Sequence, residues 1–251
     1  KALGTAFDYL EYLGTSDMTP EELKSEFYRL ACTFYVSPGN ERTYVVLSGL
    51  NENMPAAVQL FEKLLADAQV NKEAYTNMTS DILKARSDAK LNQGQNFSRL
   101  MSFAMYGPKS PATNLLTEAE LTNMNPQELV DRIHNQNSYK HRILYYGPSS
   151  SKDLLATINQ YHQVPAALKD IPAGNEYAYL ETPVTKVLVA PYDAKQIYMA
   201  QISNLDKKYD PAIEPIRALY DEYFGGGMNS IVFQEMRETR AVSYTHLTLP
   251  T

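Results

Sequence analysis

Apolar residues recur every three to four positions over long stretches of the chain, a spacing that predicts amphipathic helices. In residues 53–68, for example, Phe61 and Leu64 fall on one helical face. Thr19 and Pro20 predict the start of another helix, because threonine caps free backbone N–H groups and proline fits the first helical position. Helices are predicted over residues 19–31, 53–68, 72–105, 115–123, 126–135, 149–162, 211–224 and 228–240, and residues 6–13 are predicted to end a short helix. The stretch over 72–105 is expected to loosen near Gly94.

Short apolar or alternating runs between these helices predict strands. Residues 33–36 and 43–50 flank the turn-forming sequence Ser-Pro-Gly-Asn at 37–40, which predicts a hairpin. Further strands are predicted over residues 140–146, 186–190 and 196–202. Helices mixed with hairpin-like strands predict an α+β fold, in which helices pack on one face of a mostly antiparallel sheet.

The organisation of the chain follows from where this periodicity stops. Residues 164–182 contain two prolines, one glycine and little periodicity, which indicates a linker. It separates a first domain, residues 1–163, from the start of a second, residues 183–241. The last ten residues, 242–251, do not continue the pattern. Their sequence, VSYTHLTLPT, resembles the translation of a sequencing-library adapter, and a genuine β-strand is the alternative interpretation.

Composition and charge narrow the class of protein. The formal net charge of -6 and a pI of about 5.3 argue against a nucleic-acid partner, because phosphate binding needs a basic face. No apolar run approaches the roughly 20 residues of a membrane helix, so no membrane span is expected. The single cysteine, Cys32, excludes an internal disulfide and fits a small core residue.

The segment Ala-Phe-Asp-Tyr-Leu-Glu-Tyr-Leu-Gly-Thr at 6–15 precedes Pro-Glu-Glu-Leu, a helix and the strand pair. This order resembles the insulinase/pitrilysin family of zinc metallopeptidases. In active members the same place carries His-x-x-Glu-His on a helix, where two histidines hold Zn²⁺ and the glutamate activates water. Here Asp8 and Tyr12 replace the histidines, and only the glutamate, Glu11, is retained.

The third zinc ligand of the family is a glutamate on a later helix, which the resemblance places between Thr79 and Ser87. No glutamate occurs between Glu73 and Glu118. A phenol is neutral near pH 7 and competes poorly with imidazole for zinc, so the degenerate motif is not expected to bind the metal. The resemblance therefore implies the fold without its zinc, and the metal is expected in a catalytic half outside this chain.

A second segment, residues 223–240, starts with three glycines and continues as a helix. It resembles the family's glycine-rich turn and helix, which lead into an arginine and a tyrosine seven positions apart that contact substrate. Arg237 and Tyr244 have this spacing, although Tyr244 lies in the adapter-like tail. A guanidinium and a phenol can both donate hydrogen bonds to a substrate carbonyl or a developing oxyanion.

The resemblance implies two insulinase-type domains, the first lacking its opening strand and the second truncated. It further implies the non-catalytic half of a zinc metalloendopeptidase, which closes the substrate chamber and helps to bind peptide. The partner would be a catalytic insulinase-type half, in the same chain or a second subunit. The alternative is a non-catalytic partner or structural subunit with no proteolytic role. Members of this kind are often exported in Gram-negative bacteria, which points to the periplasm.

Other residues admit plainer interpretations. Glu11 has no water to activate without a metal, so a structural or surface role is expected. The glycines at 225–227 lack the Lys-Ser/Thr of a phosphate-binding loop and fit a flexible turn. His134 and His141 are seven positions apart with no third ligand nearby, so we expect no zinc site there.

Overall fold

The computed structural model describes residues 1–39, 42–193, 196–204 and 210–240. Nine α-helices are present in these ranges together with one antiparallel strand pair, an arrangement that confirms the predicted α+β class. The helices are α1 Ala2–Leu10, α2 Pro20–Arg29, α3 Met54–Asp67, α4 Lys72–Ala89, α5 Gln93–Tyr106, α6 Glu118–Asn123, α7 Pro126–His134, α8 Ser151–Tyr161 and α9 Glu214–Asp221; the strands are β1 Cys32–Pro38 and β2 Thr43–Gly49.

Helix α2 begins where the sequence predicts. The Thr19 side chain accepts a hydrogen bond from the backbone N–H of Glu22 at 3.2 Å, and the Glu22 carboxylate accepts from the backbone N–H of Thr19 at 2.8 Å. This reciprocal pair satisfies two N–H groups that have no partner within the helix. The helix ends at Arg29, and Ala31 takes a left-handed conformation with φ of 48° before β1 starts.

The hairpin pairs Cys32 with Gly49 at its open end. A Cβ atom on Gly49 would lie 2.3 Å from the Cys32 sulfur, so only glycine allows this approach. On the packed face, the Phe34 ring lies between those of Phe27 and Phe61, with centroid separations of 4.9 and 5.0 Å. These contacts hold α2 and α3 against one face of the hairpin, and Cys32 is buried as expected.

The core forms where α1, α3 and α7 meet. Its fully buried side chains include Leu10 from α1, Leu64 from α3, and Leu129 and Ile133 from α7. Each lies at helical spacing with other apolar residues, as the sequence predicts. Burial of one such side chain contributes roughly 1.5–3 kcal/mol relative to exposure, so this intersection dominates the stability of the helical region.

Two helix predictions need correction. The stretch predicted over residues 72–105 is two helices, because Asn92 caps α5 by accepting from the backbone N–H of Gln95 at 2.9 Å. The break therefore precedes Gly94, which lies within α5. Asn53 stands at the predicted start of α3 but does not cap it. Its side-chain amide instead donates to the carbonyl of Leu30 at 2.8 Å.

The strands predicted over residues 140–146, 186–190 and 196–202 are wrong for the part of the chain that the structure describes. Near the first of them there is only a single parallel bridge, between Tyr139 and Lys169. Leu144 and Tyr146 are exposed. A strand is stabilised by pairing with a neighbour and by packing on one face, and apolar alternation alone supplies neither.

Two compact units emerge within the chain. The first comprises Lys1–Leu180 and Lys186–Ile202, and the second comprises Glu181–Thr185 and, among the described residues, 203–204 and 210–240. In the second, α9 is followed by π-helical turns over Glu222–Gly226 and Phe233–Thr239, the latter within the helix predicted for 228–240. The boundaries predicted for the domains and the linker stay predictions. No helix in the described ranges has the length and apolarity to cross a membrane.

Candidate functional site

The degenerate zinc motif lies at the exposed end of α1. Asp8 is within the helix, whereas Glu11 and Tyr12 follow its last residue and lie in a turn, where the backbone N–H of Tyr12 donates to the carbonyl of Tyr9 at 3.0 Å. All three motif side chains reach solvent. The helix therefore ends before Tyr12, which stands at the position of the family's second histidine. Asp8 and Tyr12, at the two histidine positions, do not share a continuous helical face.

Tyr9, inside the motif, is the residue that fixes this end of α1. Its hydroxyl donates to the carbonyl of Asn71 at 2.6 Å and accepts from the Asn71 N–H at 2.9 Å. Its ring meets that of Tyr75 edge-on, with centroids 5.5 Å apart. Burial raises the pKa of Tyr9, so the phenol stays protonated and able to donate. These contacts join α1 to the first turns of α4.

The residues around the motif do not fit a catalytic zinc. Helix α4 is the element to which the resemblance assigns the third ligand, and its residues 79–87 contain the buried Thr79 and no glutamate. Partial desolvation, and to a lesser extent the charge of Glu11, raise the pKa of Asp8. No cluster of three or more metal-ligating side chains occurs within the described ranges.

Arg237, the predicted substrate-binding arginine, lies in the π-helical turn Phe233–Thr239 of the second unit. Its guanidinium carbon is 4.6 Å from the centroid of the Phe233 ring, and its Nε is 3.7 Å from the Glu238 carboxylate. This cation–π contact holds the guanidinium over the Phe233 ring. Tyr244, its predicted companion, lies outside the described residues.

The first unit contains an open cleft of about 1360 Å³ between the hairpin turn, α7 and residues 139–144. Its charged lining residues are five cations and two carboxylates, although the whole chain carries a net charge of -6. Lys140 is paired with Asp170 at 2.5 Å, and the Lys169 ammonium lies 5.7 Å from the centroid of the Tyr139 ring. The charged lining residues are Arg42, Arg132, Lys140, Arg142, Lys169, Glu128 and Asp131. Such a lining favours carboxylates and backbone carbonyls.

Sequence reasoning missed a histidine pair beside this cleft. It compared His134 with His141, whereas the structure places His141 against His162, with the two Nε2 atoms 2.8 Å apart. His134 instead contacts the carbonyl of Ala68 at 3.1 Å. The pair joins a helix end to a loop 21 positions earlier in the sequence, so no local spacing could reveal it.

No family model matches the sequence, and no curated protein matches it. Solved structures do match. The peptidase M16 inactive domain from Pseudomonas fluorescens aligns with 95% of this chain and 58% of its own, at a TM-score of 0.62 and 13% identity. The chain has the fold of M16 peptidase domains. This is the insulinase-type fold that the sequence resembles.

Two proteases share the M16-type fold over a shorter stretch. The periplasmic protease PqqL from Escherichia coli aligns with 71% of this chain at a TM-score of 0.56 and 14% identity. A mutant of the ferredoxin protease FusC, in complex with Arabidopsis ferredoxin, aligns with 71% at a TM-score of 0.56 and 12% identity. The chain spans 20% of the length of each protease. At these identities the likeness establishes the fold alone.

Proposed function

We propose that this chain belongs to the non-catalytic half of a two-half zinc metalloendopeptidase. One observation carries the proposal: an M16-type fold in which the zinc-motif positions hold Asp8, Glu11 and Tyr12. A carboxylate and a phenol do not replace two imidazoles as ligands for zinc. Hydrolysis would therefore depend on a metal in the other half, and this chain would contribute the wall that closes the chamber.

Peptide binding would be the chemical contribution of this half. Arg237 would donate to a substrate carbonyl, with its guanidinium held over the Phe233 ring, and Tyr244 would be the second donor. The cation-rich cleft of the first unit offers further donors to polypeptide carbonyls and acidic side chains. Backbone recognition of this kind gives affinity with little dependence on side-chain identity. It suits an enzyme that acts on peptides or unfolded chains.

The first test uses the chain alone. We expect no hydrolysis of a fluorogenic peptide library and no zinc bound through the motif, so that Glu11→Gln leaves any zinc uptake unchanged. Zinc-dependent hydrolysis that disappears in Asp8→Asn or Glu11→Gln would contradict the proposal, because it would show a working metal site in this half.

The second test adds an M16 half that carries His-x-x-Glu-His and is encoded in frame with, or beside, this chain. We expect activity only when both halves are present. Arg237→Gln should lower kcat/KM roughly 10- to 100-fold, the loss of one charge-assisted hydrogen bond. Arg240→Gln is the matched control, since Arg240 directly follows the same π-helical turn and its Nε lies 3.7 Å from the Glu235 carboxylate. A stable complex whose proteolysis never depends on this chain would favour the structural-subunit alternative.

A further inference from the structure

His141 and His162 stand at the centre of a chain of polar contacts in the first unit. His141 Nδ1 lies 2.6 Å from the carbonyl oxygen of Tyr139, and His162 Nδ1 lies 2.6 Å from a carboxylate oxygen of Glu62. The other oxygen of Glu62 accepts from the Asn137 side chain at 2.7 Å. The His162 and Glu62 side chains are only 12% and 16% exposed.

Hydrogen-bond accounting fixes the tautomer of both rings. A carbonyl and a carboxylate only accept hydrogen bonds, so each histidine donates through a protonated Nδ1. In the neutral rings both Nε2 atoms then carry lone pairs, and these atoms face each other at 2.8 Å. Two lone pairs at this distance repel, so the arrangement requires an electrophile that both nitrogens share. That electrophile is a proton or a metal ion.

The surroundings match the outer shell of a metal site. Ligating histidines characteristically donate their second ring N–H to a carboxylate or a backbone carbonyl, and here Glu62 and Tyr139 provide one of each. The scaffold is also held in place. His162 N–H closes the last turn of α8 on the carbonyl of Ile158 at 2.8 Å, and Lys140 N–H pairs with the carbonyl of Lys169 at 2.9 Å.

We propose that His141 and His162 form a two-imidazole site for a divalent transition metal, with Cu²⁺ preferred over Zn²⁺. An ion with bonds of about 2.0 Å lies to one side of the line between the two Nε2 atoms, which are 2.8 Å apart, and each ring turns slightly toward it. The preference for Cu²⁺ follows from the order of affinity among divalent ions, in which Cu²⁺ stands above Zn²⁺. The site is separate from the degenerate motif and does not depend on the proposed peptidase role.

Charge and ligand number set how tightly this site binds. The Glu62 carboxylate offsets part of the metal charge, whereas Lys140 and Arg142 flank His141 in sequence and oppose it. No third histidine, cysteine or carboxylate joins the pair within the described ranges, so water completes the coordination. We expect one equivalent of Cu²⁺ to bind, with an affinity that falls as the pH falls because protons compete for the same nitrogens.

The test is titration of chelator-stripped protein with Cu²⁺ and Ni²⁺ by calorimetry, with electron paramagnetic resonance of the Cu²⁺ complex. We expect a spectrum with two nitrogen ligands from imidazole. His141→Ala and His162→Ala should each weaken binding at least about tenfold, and Glu62→Gln should weaken it roughly 10- to 100-fold through lost orientation. Circular dichroism of each variant checks that it is folded.

The chain contains two other histidines, which provide matched controls. His134→Ala and His246→Ala should leave the affinity and the two-nitrogen spectrum unchanged. The proposal is overturned if the unaltered protein shows no saturable binding, which would mean that the pair shares only a proton. It is equally overturned if the spectrum lacks the two nitrogens, or if the control substitutions weaken binding as much as His141→Ala does.

Discussion

The helical region at the start of the chain buries its apolar residues, whereas the segment after residue 183 leaves many of its apolar residues exposed. Among the described residues, every buried hydrophobic side chain except Val232 lies between Ala6 and Ile133. In the later segment, Val187, Ile197 and Met199 are 83%, 87% and 80% exposed. Apolar sequence is abundant in both regions, and only the first converts it into a core.

The difference follows from how helices and strands satisfy the hydrogen-bonding groups of their backbones. A helix satisfies its backbone internally and can present an apolar stripe to any neighbour. A strand must pair with another strand before its apolar face is useful, and an isolated pair is marginal in water. In the first region, helices supply most of the core, and the single hairpin is covered by α2 and α3. The described part of residues 186–202 in the later segment has strand-like sequence but no such cover.

The largest predicted effect comes from making a leucine-to-alanine substitution in each of the two regions and comparing the costs. Leu129→Ala removes a fully buried side chain of α7 and should lower the free energy of unfolding by roughly 2–5 kcal/mol, through lost burial and a cavity. Leu219→Ala, in the later segment, changes a side chain that is 72% exposed and should change the free energy of unfolding by less than about 0.5 kcal/mol. Urea unfolding monitored by circular dichroism measures both, and similar costs would refute the contrast.

The next effect concerns the hydroxyl that ties α1 to α4. Tyr9→Phe keeps the ring against Tyr75 but leaves the carbonyl and N–H of Asn71 without their shared partner. We expect a loss of roughly 1–3 kcal/mol, the cost of leaving buried polar groups unsatisfied. Tyr12→Phe, three positions on and 43% exposed, is the matched control and should be nearly neutral in the same unfolding experiment.

These elements also show how far sequence reasoning reaches in this chain. It predicted the start of α2, the hairpin and the extent of α3, since each is encoded by caps, turns and spacing within a few residues. It misplaced the break before α5, because Asn92 and Gly94 are both plausible helix interruptions and only one forms a cap. It wrongly predicted strands at 140–146, 186–190 and 196–202, because local alternation of apolar residues does not show whether a strand has a pairing partner.

The candidate site likewise combines features that the sequence predicts with features that only the structure shows. The resemblance implies a helix through Asp8 and Glu11, and the structure ends that helix at Leu10, so that Glu11 lies in the following turn. The structure also shows that Tyr9, within the motif, anchors α1 on Asn71. The roles of Arg237 and Tyr244 stay predictions. The pairing of His141 with His162 could not be predicted, because the third participant, Glu62, is 100 positions away from His162 on another helix.

A helix cap provides a smaller test of which region controls unfolding. Thr19→Ala deletes the capping box of α2 and should cost about 1 kcal/mol, whereas Thr19→Ser keeps the hydroxyl and most of the stability. In the second unit, Asp210 accepts from the backbone N–H of Ala212 at 2.9 Å. Asp210→Ala should leave the main urea transition unchanged. If it shifted the main transition as much as Thr19→Ala does, stability could not be assigned chiefly to the helical region.

The smallest effect is a pH dependence in the loop that precedes α2. The Asp67 carboxylate accepts from the Ser16 hydroxyl at 2.6 Å and from the Ser16 N–H at 2.9 Å, and these bonds lower the pKa of Asp67 below its ordinary value of 3.8. Because the folded pKa is the lower one, the contribution is complete at pH values above 3.8. It is lost as the pH falls through the folded value.

Asp67→Asn removes that titration and keeps an oxygen acceptor. The stability difference between the unaltered chain and this variant should therefore be small and constant near pH 7 and should shrink as the pH falls below 3.8. Urea unfolding in a series of buffers measures it. Asp81→Asn, on the exposed face of α4, controls for the loss of one negative charge. A difference that grew on acidification would mean that protonation of Asp67 strengthens the contact with Ser16, and the assigned cause of its lowered pKa would be wrong.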